Sequence, residues 1–221
     1  MPTLTVASGG AVADRSLASL DAVKAELGIT DGSSDTLLSG WIRDDSDAVS
    51  EACGVAPDQA GRRTFLREAV TISYRPNEVP CGFDPAPLVL PWRLPLDVEM
   101  VTVDGATLDA DAYEVEPMAG LLWRLNTFGC RTRWERSRIV ITGTAGWVLA
   151  DVPAALRRAV IECVTIRWDG KDQNSYLKRD RVDGVGEQEF WTGSLPNMQG
   201  SVPASVLDGL RAAGLVNIAI G

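Results

Sequence analysis

The stretch Arg138-Ile-Val-Ile-Thr-Gly143, followed closely by Asp151-Val-Pro-Ala-Ala-Leu156, decides the fold, because here the chain changes from strand to helix. The first part is rich in β-branched residues and ends on glycine, as a short strand does. In the second, Pro153 suits the first helical position, where no backbone N–H is needed. Leu156, Ala159, Val160, Cys163, Val164 and Arg167 then recur at helical spacing. The spacing predicts a helix to about Trp168.

Upstream of this junction the period is two. Val70, Ile72 and Tyr74 alternate with Ala69, Thr71 and Ser73. Leu88-Val-Leu-Pro91, Val98-Glu-Met-Val-Thr-Val103, Tyr113-Glu-Val-Glu116 and Gly120-Leu-Leu-Trp-Arg-Leu125 read as further strands, with Asp104-Gly105 as a tight turn. Strands spaced by roughly ten residues indicate a small antiparallel sheet or barrel. Before them, Leu20, Val23 and Leu27 recur at i, i+3 and i+7, with Ser19 as cap, Asp21 near the positive end of the helix dipole and Gly28 as a left-handed stop. After the polar turn Asp31-Gly-Ser-Ser34, a longer helix is signalled by Leu37, Leu38, Trp41, Ile42, Ala48, Val49 and Ala52, ending at Cys53-Gly54. These two helices are expected to pack as a hairpin.

Downstream, residues 169–200 are polar and rich in turn residues, which predicts an extended connector. A last helix is expected at about 203–213, with Ser201 as cap, Pro203 in its first turn and Gly214 as stop, before the apolar tail Leu215-Val-Asn-Ile-Ala-Ile-Gly221. The expected class is α+β: an N-terminal helical hairpin (1–61) and C-terminal helices forming a helical bundle, with an inserted small antiparallel β-domain (62–150). A helix and connector (151–200) and a C-terminal helix and tail (201–221) complete the chain.

Composition narrows the function. The chain has 221 residues, 45% of them hydrophobic, enough to bury a core. It has no histidine, the side chain best suited to proton transfer near neutral pH and the commonest metal ligand. Its four cysteines, at 53, 81, 130 and 163, have no C-x-x-C pairing and read as reduced thiols. Serines have no histidine partner and no G-x-S-x-G elbow, and Glu114 and Glu116 share a strand face with nothing marking a cleft. Gly184 and Gly186 form a turn rather than a nucleotide loop, since Glu187 and Glu189 follow. No enzymatic activity and no cofactor or metal is expected. No apolar run reaches the roughly 18 residues a membrane span needs, and the N-terminus lacks the basic region of a signal peptide, so the expected place of synthesis and assembly is the cytoplasm. The net charge of −9 is concentrated in residues 1–60, where 3 basic and 10 acidic groups give −7. Such acidity argues against gripping a nucleic-acid backbone.

Several phrases in this order resemble the head-tail connector family of tailed bacteriophages and gene transfer agents, also called adaptor or head-completion proteins. They are Ser19-Leu-Asp-Ala-Val-Lys-Ala-Glu-Leu-Gly28 with Asp35-Thr-Leu-Leu-Ser-Gly-Trp-Ile42, then Leu90-Pro-Trp-Arg-Leu-Pro-Leu-Asp-Val98, Val101-Thr-Val-Asp-Gly105 and Tyr113-Glu-Val115. Ile141-Thr-Gly-Thr-Ala-Gly-Trp147 with Val152-Pro-Ala-Ala-Leu-Arg-Arg-Ala159 is the most specific of them. The loop 126–136 and the tail after Gly200 match no family phrase. The resemblance implies a structural subunit of the virion neck, made in a bacterial host, that forms a ring, commonly of twelve. Its partners would be the portal protein, a stopper or tail-completion protein and copies of itself, with genomic DNA passing through the channel without specific binding. A stopper or tail-completion protein of the same particle, or a small binding module, stands as the alternative.

Three groups of residues are candidates for such contacts. Asp44, Asp47 and Glu51 recur at i, i+3 and i+7, as either a solvated helix face or a channel lining. Arg131, Arg133, Arg136 and Arg138 cluster near Trp134; they fit a solvated strand face, charge contacts with a neighbouring subunit, or nucleic-acid contact. Phe190, Trp191, Leu195, Leu207, Leu210, Leu215, Val216 and Ile218 are more apolar than a short tail can bury alone, which suggests docking on the portal or a neighbour, with folding back on the subunit's own core as the alternative.

Overall fold

The computed structural model describes residues 2–6, 14–80, 82–93, 95–171, 179–182, 186–189, 198–199 and 202–217. They fall into two compact units: Met1–Arg15 with Gly54–Val152, and Ser16–Cys53 with Pro153–Gly221. The chain is α+β.

The first unit is built from two antiparallel sheets. Strands β1 (Thr3–Val6), β2 (Glu68–Tyr74), β3 (Leu88–Val89), β4 (Leu96–Val103), β5 (Ala106–Thr107), β6 (Tyr113–Glu116), β7 (Leu121–Leu125), β8 (Arg131–Thr132) and β9 (Ile139–Ala145) follow in chain order. The larger sheet has the order β1-β2-β9-β4-β5. Its centre is β9, paired along its length with β2 on one side and β4 on the other. The smaller sheet has the order β3-β7-β6, with β8 also on β7. Inward residues of both sheets, among them Ile72, Leu88, Val101, Leu122, Ile139 and Ile141, form one buried cluster. The alternation at 70–74 appears as alternating burial along β2. Strand β1 was not expected: residues 1–15, read with the helices, group instead with the strands, and Leu4 and Val6 enter the core.

Two glycines permit close backbone approaches in this unit. Gly143 lies in β9 opposite a bulge at Val98–Met100, where a Cβ would fall on the Asp97 carbonyl oxygen. Gly146 has φ +96° and lies against the carbonyl of Leu66. Its N–H donates to Pro95 O (2.8 Å), while Arg67 N donates to Trp147 O and Trp147 N to Phe65 O, each at 2.8 Å.

Among the described residues, the α-helices all lie in the second unit: α1 (Leu20–Leu27), α2 (Asp35–Ala52), α3 (Ala154–Gly170) and α4 (Ala204–Ala212). Ser19 Oγ accepts from Ala22 N at 3.2 Å, and Gly28 closes α1 at φ +68°, as the sequence predicts. Helix α3 packs against α1, α2 and α4. Leu38, Ile42 and Val49 of α2, Leu156, Val160 and Val164 of α3, and Leu207 and Leu210 of α4 are buried. Inside α2, Ser46 Oγ accepts from Leu17 N (3.0 Å) and donates to Ile42 O (2.6 Å), tying the segment before α1 to this helix. Within the expected connector, the described residues form short strands. They are the antiparallel pair β10 (Arg179–Val182) and β11 (Gly186–Glu189), and β12 (Met198–Gln199), which pairs with β13 (Val202–Pro203). Polar alternation leaves such a hairpin without a hydrophobic signature.

One charged pair is fully buried in the first unit. Arg93 (2% exposed) donates from Nη1 to Glu68 Oε2 at 2.6 Å, from Nε to Ala56 O at 2.8 Å and from Nη2 to Arg62 O at 2.7 Å. Removing one member of such a pair strands the other charge, at about 3–5 kcal/mol, whereas replacing both with apolar groups costs far less. Arg93→Ala is therefore expected to lower urea-unfolding stability by about 3 kcal/mol or more. Glu68→Leu combined with Arg93→Met should lose less than Arg93→Ala alone, although it removes both charges.

Candidate functional site

The acidic residues of α2 are not equivalent. Asp44 is exposed, with its Oδ2 3.9 Å from Arg167 Nη2. Asp45, absent from the sequence-based candidates, is buried and accepts from Arg167 Nη1 at 2.8 Å. Asp47 is half-buried and Glu51 exposed, and both are engaged within the chain. Arg167 also lies over the Trp41 ring, 4.9 Å from its centroid, and Trp41 meets Trp168 edge to face. Part of the acidity of α2 thus serves the contact with α3. Burial raises the pKa of the Asp45 carboxyl, and the Arg167 guanidinium partly offsets this.

The arginine cluster divides in the same way. Arg131 is satisfied within the small sheet: Nε to Glu114 Oε2 at 3.0 Å, Nη2 to Glu116 Oε1 at 2.8 Å, and its guanidinium 4.1 Å from the centroid of Trp123. Trp123 Nε1 donates in turn to Glu116 Oε1 at 2.9 Å. Trp134, whose ring the nucleic-acid alternative would have needed for stacking, is 3% exposed and donates to Leu122 O at 3.2 Å; it is a core side chain. Arg133, Arg136 and Arg138 are exposed. Arg133 lines an open depression of about 830 Å³ with Arg124, Asp109, Asp111 and Glu135, so both signs of charge meet there.

The apolar C-terminal candidates are corrected in part. Leu207, Leu210 and Leu215 are buried in the second unit, because α4 turns its apolar face to α3 and because Leu215 N donates to Leu210 O and Asn217 N to Cys53 O. They fill the chain's own core and form no open docking patch. Val216 is half-buried. Phe190, Trp191, Leu195 and Ile218 lie outside the described residues.

Sequence reasoning passed over the bare aromatic side chains. Phe83 is 99% and Phe128 88% exposed. Phe128 sits in the β7–β8 turn, where Asn126 Oδ1 accepts from Phe128 N (2.9 Å) and Cys130 N (3.0 Å), and Asn126 N donates to Cys130 O (2.9 Å). The Asn-x-x-Gly pattern of 126–129 is the signal that could have revealed this turn. Among the described residues, no three His, Cys, Asp or Glu are placed to hold a metal ion, and no helix is long and apolar enough to cross a membrane.

Two measurements check these placements. Arg167→Ala should cost about 1–2 kcal/mol at pH 7, less than for a fully buried pair because Arg167 is partly exposed. The raised Asp45 pKa makes the ionised form the unfavourable one in the folded state, so this loss should shrink as pH falls through the Asp45 titration. Separately, burial pushes the Cys53 and Cys163 thiols up to about 12, whereas Cys130 is exposed. Iodoacetamide at pH 8 should modify Cys130 in the native protein and spare Cys53 and Cys163 until denaturant is added, as mapped by peptide mass.

Among known proteins, the chain matches no described sequence family and no curated protein. It is similar in structure to chains of gene transfer agent (GTA) particles. One comes from the neck of an empty GTA particle computed with C6 symmetry, at a TM-score of 0.53. A second comes from the virion of a native GTA particle (0.55), and a third from the neck of a native GTA particle computed with C12 symmetry (0.54). Each is 14% identical, over 99% of this chain and 97% of the other. At that identity the likeness establishes a shared fold, extending over nearly the whole of both chains.

Proposed function

We propose that this protein is a structural subunit of the neck of a phage or gene-transfer particle, an adaptor that joins the portal to the rest of the neck or tail. The observation that carries this is the fold likeness to neck chains over 99% of the sequence. Independent support comes from the ordered phrases from Ser19 to Ala159, which resemble the same class of protein. In this role the subunit works through surfaces. Copies assemble side by side into a ring, twelve in number, in which the four helices act as a bundle and the strands as an inserted domain. One end meets the portal and the other receives a stopper or tail-completion protein. Asp44 and Glu51, where exposed, give the subunit an acidic face, and acidity along a channel would keep phosphates from adhering as genomic DNA passes.

Native mass spectrometry of the purified chain, alone and with the portal protein of its own particle, tests this. The expected result is a complex of twelve copies on the portal. A chain that stays monomeric and ignores the portal overturns the proposal. One that binds only a preformed adaptor ring is a stopper.

A further inference from the structure

Strand β1 comes to its sheet by a different route from its neighbours. The other described strands of the first unit lie in the continuous run 54–152, whereas β1 precedes the helices, and the chain passes through α1 and α2 before β2 begins. Even so, β1 lies along β2 in antiparallel register, with Thr3 opposite Ser73, Leu4 opposite Ile72, Thr5 opposite Thr71 and Val6 opposite Val70. Leu4 and Val6 are 6% and 7% exposed and belong to the core of the unit. Because β1 is the outer strand of the order β1-β2-β9-β4-β5, its departure would leave the β2 edge from Val70 to Ser73 without backbone partners. An open edge of this kind accepts an added strand whose side chains match it.

The sequence that matches this edge is Thr3–Val6 itself, and every copy of the chain carries it. A β1 supplied by a second copy would make the same hydrogen bonds and bury the same two apolar side chains. The choice between a copy's own strand and its neighbour's therefore rests on connectivity and local concentration, not on contacts. Residues 7–13, Ala-Ser-Gly-Gly-Ala-Val-Ala, join β1 to the helical unit and are long enough to span up to about 25 Å. In dilute solution a copy's own strand is the nearest. Copies held side by side raise the concentration of the neighbour's. A strand passed always in the same direction makes a head-to-tail contact, the kind that closes into rings.

We propose that β1 is an exchangeable strand, which in the assembled particle each copy lays on the β2 edge of the next. This rests on the ring assembly proposed above. Thr5 and Thr71 are opposite each other, with Thr5 Oγ1 donating to Thr71 O at 3.3 Å, so a disulfide at this pair reports which copy supplies β1. The test makes Thr5→Cys and Thr71→Cys together, with Cys81→Ser and Cys130→Ser, so that the native thiols left are the buried Cys53 and Cys163. Oxidised as a free monomer, this chain should form the disulfide within itself. Oxidised after assembly on its portal, it should give covalent multimers joined from position 5 of one copy to position 71 of the next, as mapped by peptide mass. Disulfides confined within each copy of an assembled ring overturn the proposal. In a second arm the monomer is oxidised first, which locks β1 onto its own sheet, and is then offered to the portal. Ring formation should fall at least about 10-fold and return on reduction. Locked chains that form rings as well as reduced ones sink this inference alone, whereas a wild-type chain that forms none sinks the adaptor reading as well.

Discussion

The first unit depends on how Arg93 is used. Between α2 and β2 the chain runs through an irregular segment, and a segment of this kind has carbonyls that no strand or helix satisfies. Arg93 reaches two of them, at Ala56 and Arg62, with the same guanidinium that neutralises Glu68 at the start of β2. The loop is thereby fastened to the sheet by one planar fork, a task for which lysine has the wrong shape. Asp58 completes the loop from within, accepting from Ala60 N and Arg62 N at 2.8 Å and pairing with the Arg62 guanidinium at 2.9 Å. With that segment fixed, Phe65 and Leu66 are held where Trp147 and Gly146 cross them, and the turn after β9 has a backbone to lie against.

Much of this architecture is legible in the residues. Helices α1 and α2 follow from their apolar spacing and from Ser19 and Gly28, and β2 follows from period-two alternation. What escapes is whatever depends on distant partners. Strand β1 consists of four residues whose meaning appears only when Leu4 pairs with Ile72. The phrase Leu90-Pro-Trp-Arg-Leu-Pro95 is visible in the sequence, but nothing local says that its arginine is buried. Composition likewise marks residues 207–215 as too apolar for a tail without showing that α3 covers them. The arginines of 131–138 looked alike, yet Arg131 finds two carboxylates and an indole because β6 and β7 bring them alongside, and its neighbours stay exposed.

Charge is therefore spent in two ways in this chain. Some of it is internal: Asp45 with Arg167, Glu68 with Arg93, and Lys24 with Asp35 at 2.7 Å each join segments distant in sequence or flank a helix boundary. The rest is left on surfaces, where its sign determines which molecules can approach. A protein of net −9 would repel a second copy of itself least where that charge is cancelled locally. Residues 109–138, with five carboxylates and five arginines, form one such neutral stretch.

The chain path assigns the two cores to different segments. It passes between the two units at residues 15–16, 53–54 and 152–153, so the strands β2 to β9 form one continuous insertion between α2 and α3. The helical core is assembled from Leu38, Ile42, Leu156 and Val160, none of which the insertion supplies. Within the insertion, the buried cluster is formed by inward positions, whereas Val89, Met118 and Phe128 lie outside it. Substitutions at these outward positions leave both cores intact. Substitutions at Gly143 or Arg93 would disturb backbone packing or a buried charge first. Along the strands the two-residue period separates inward core positions such as Leu88 and Leu122 from outward ones such as Val89.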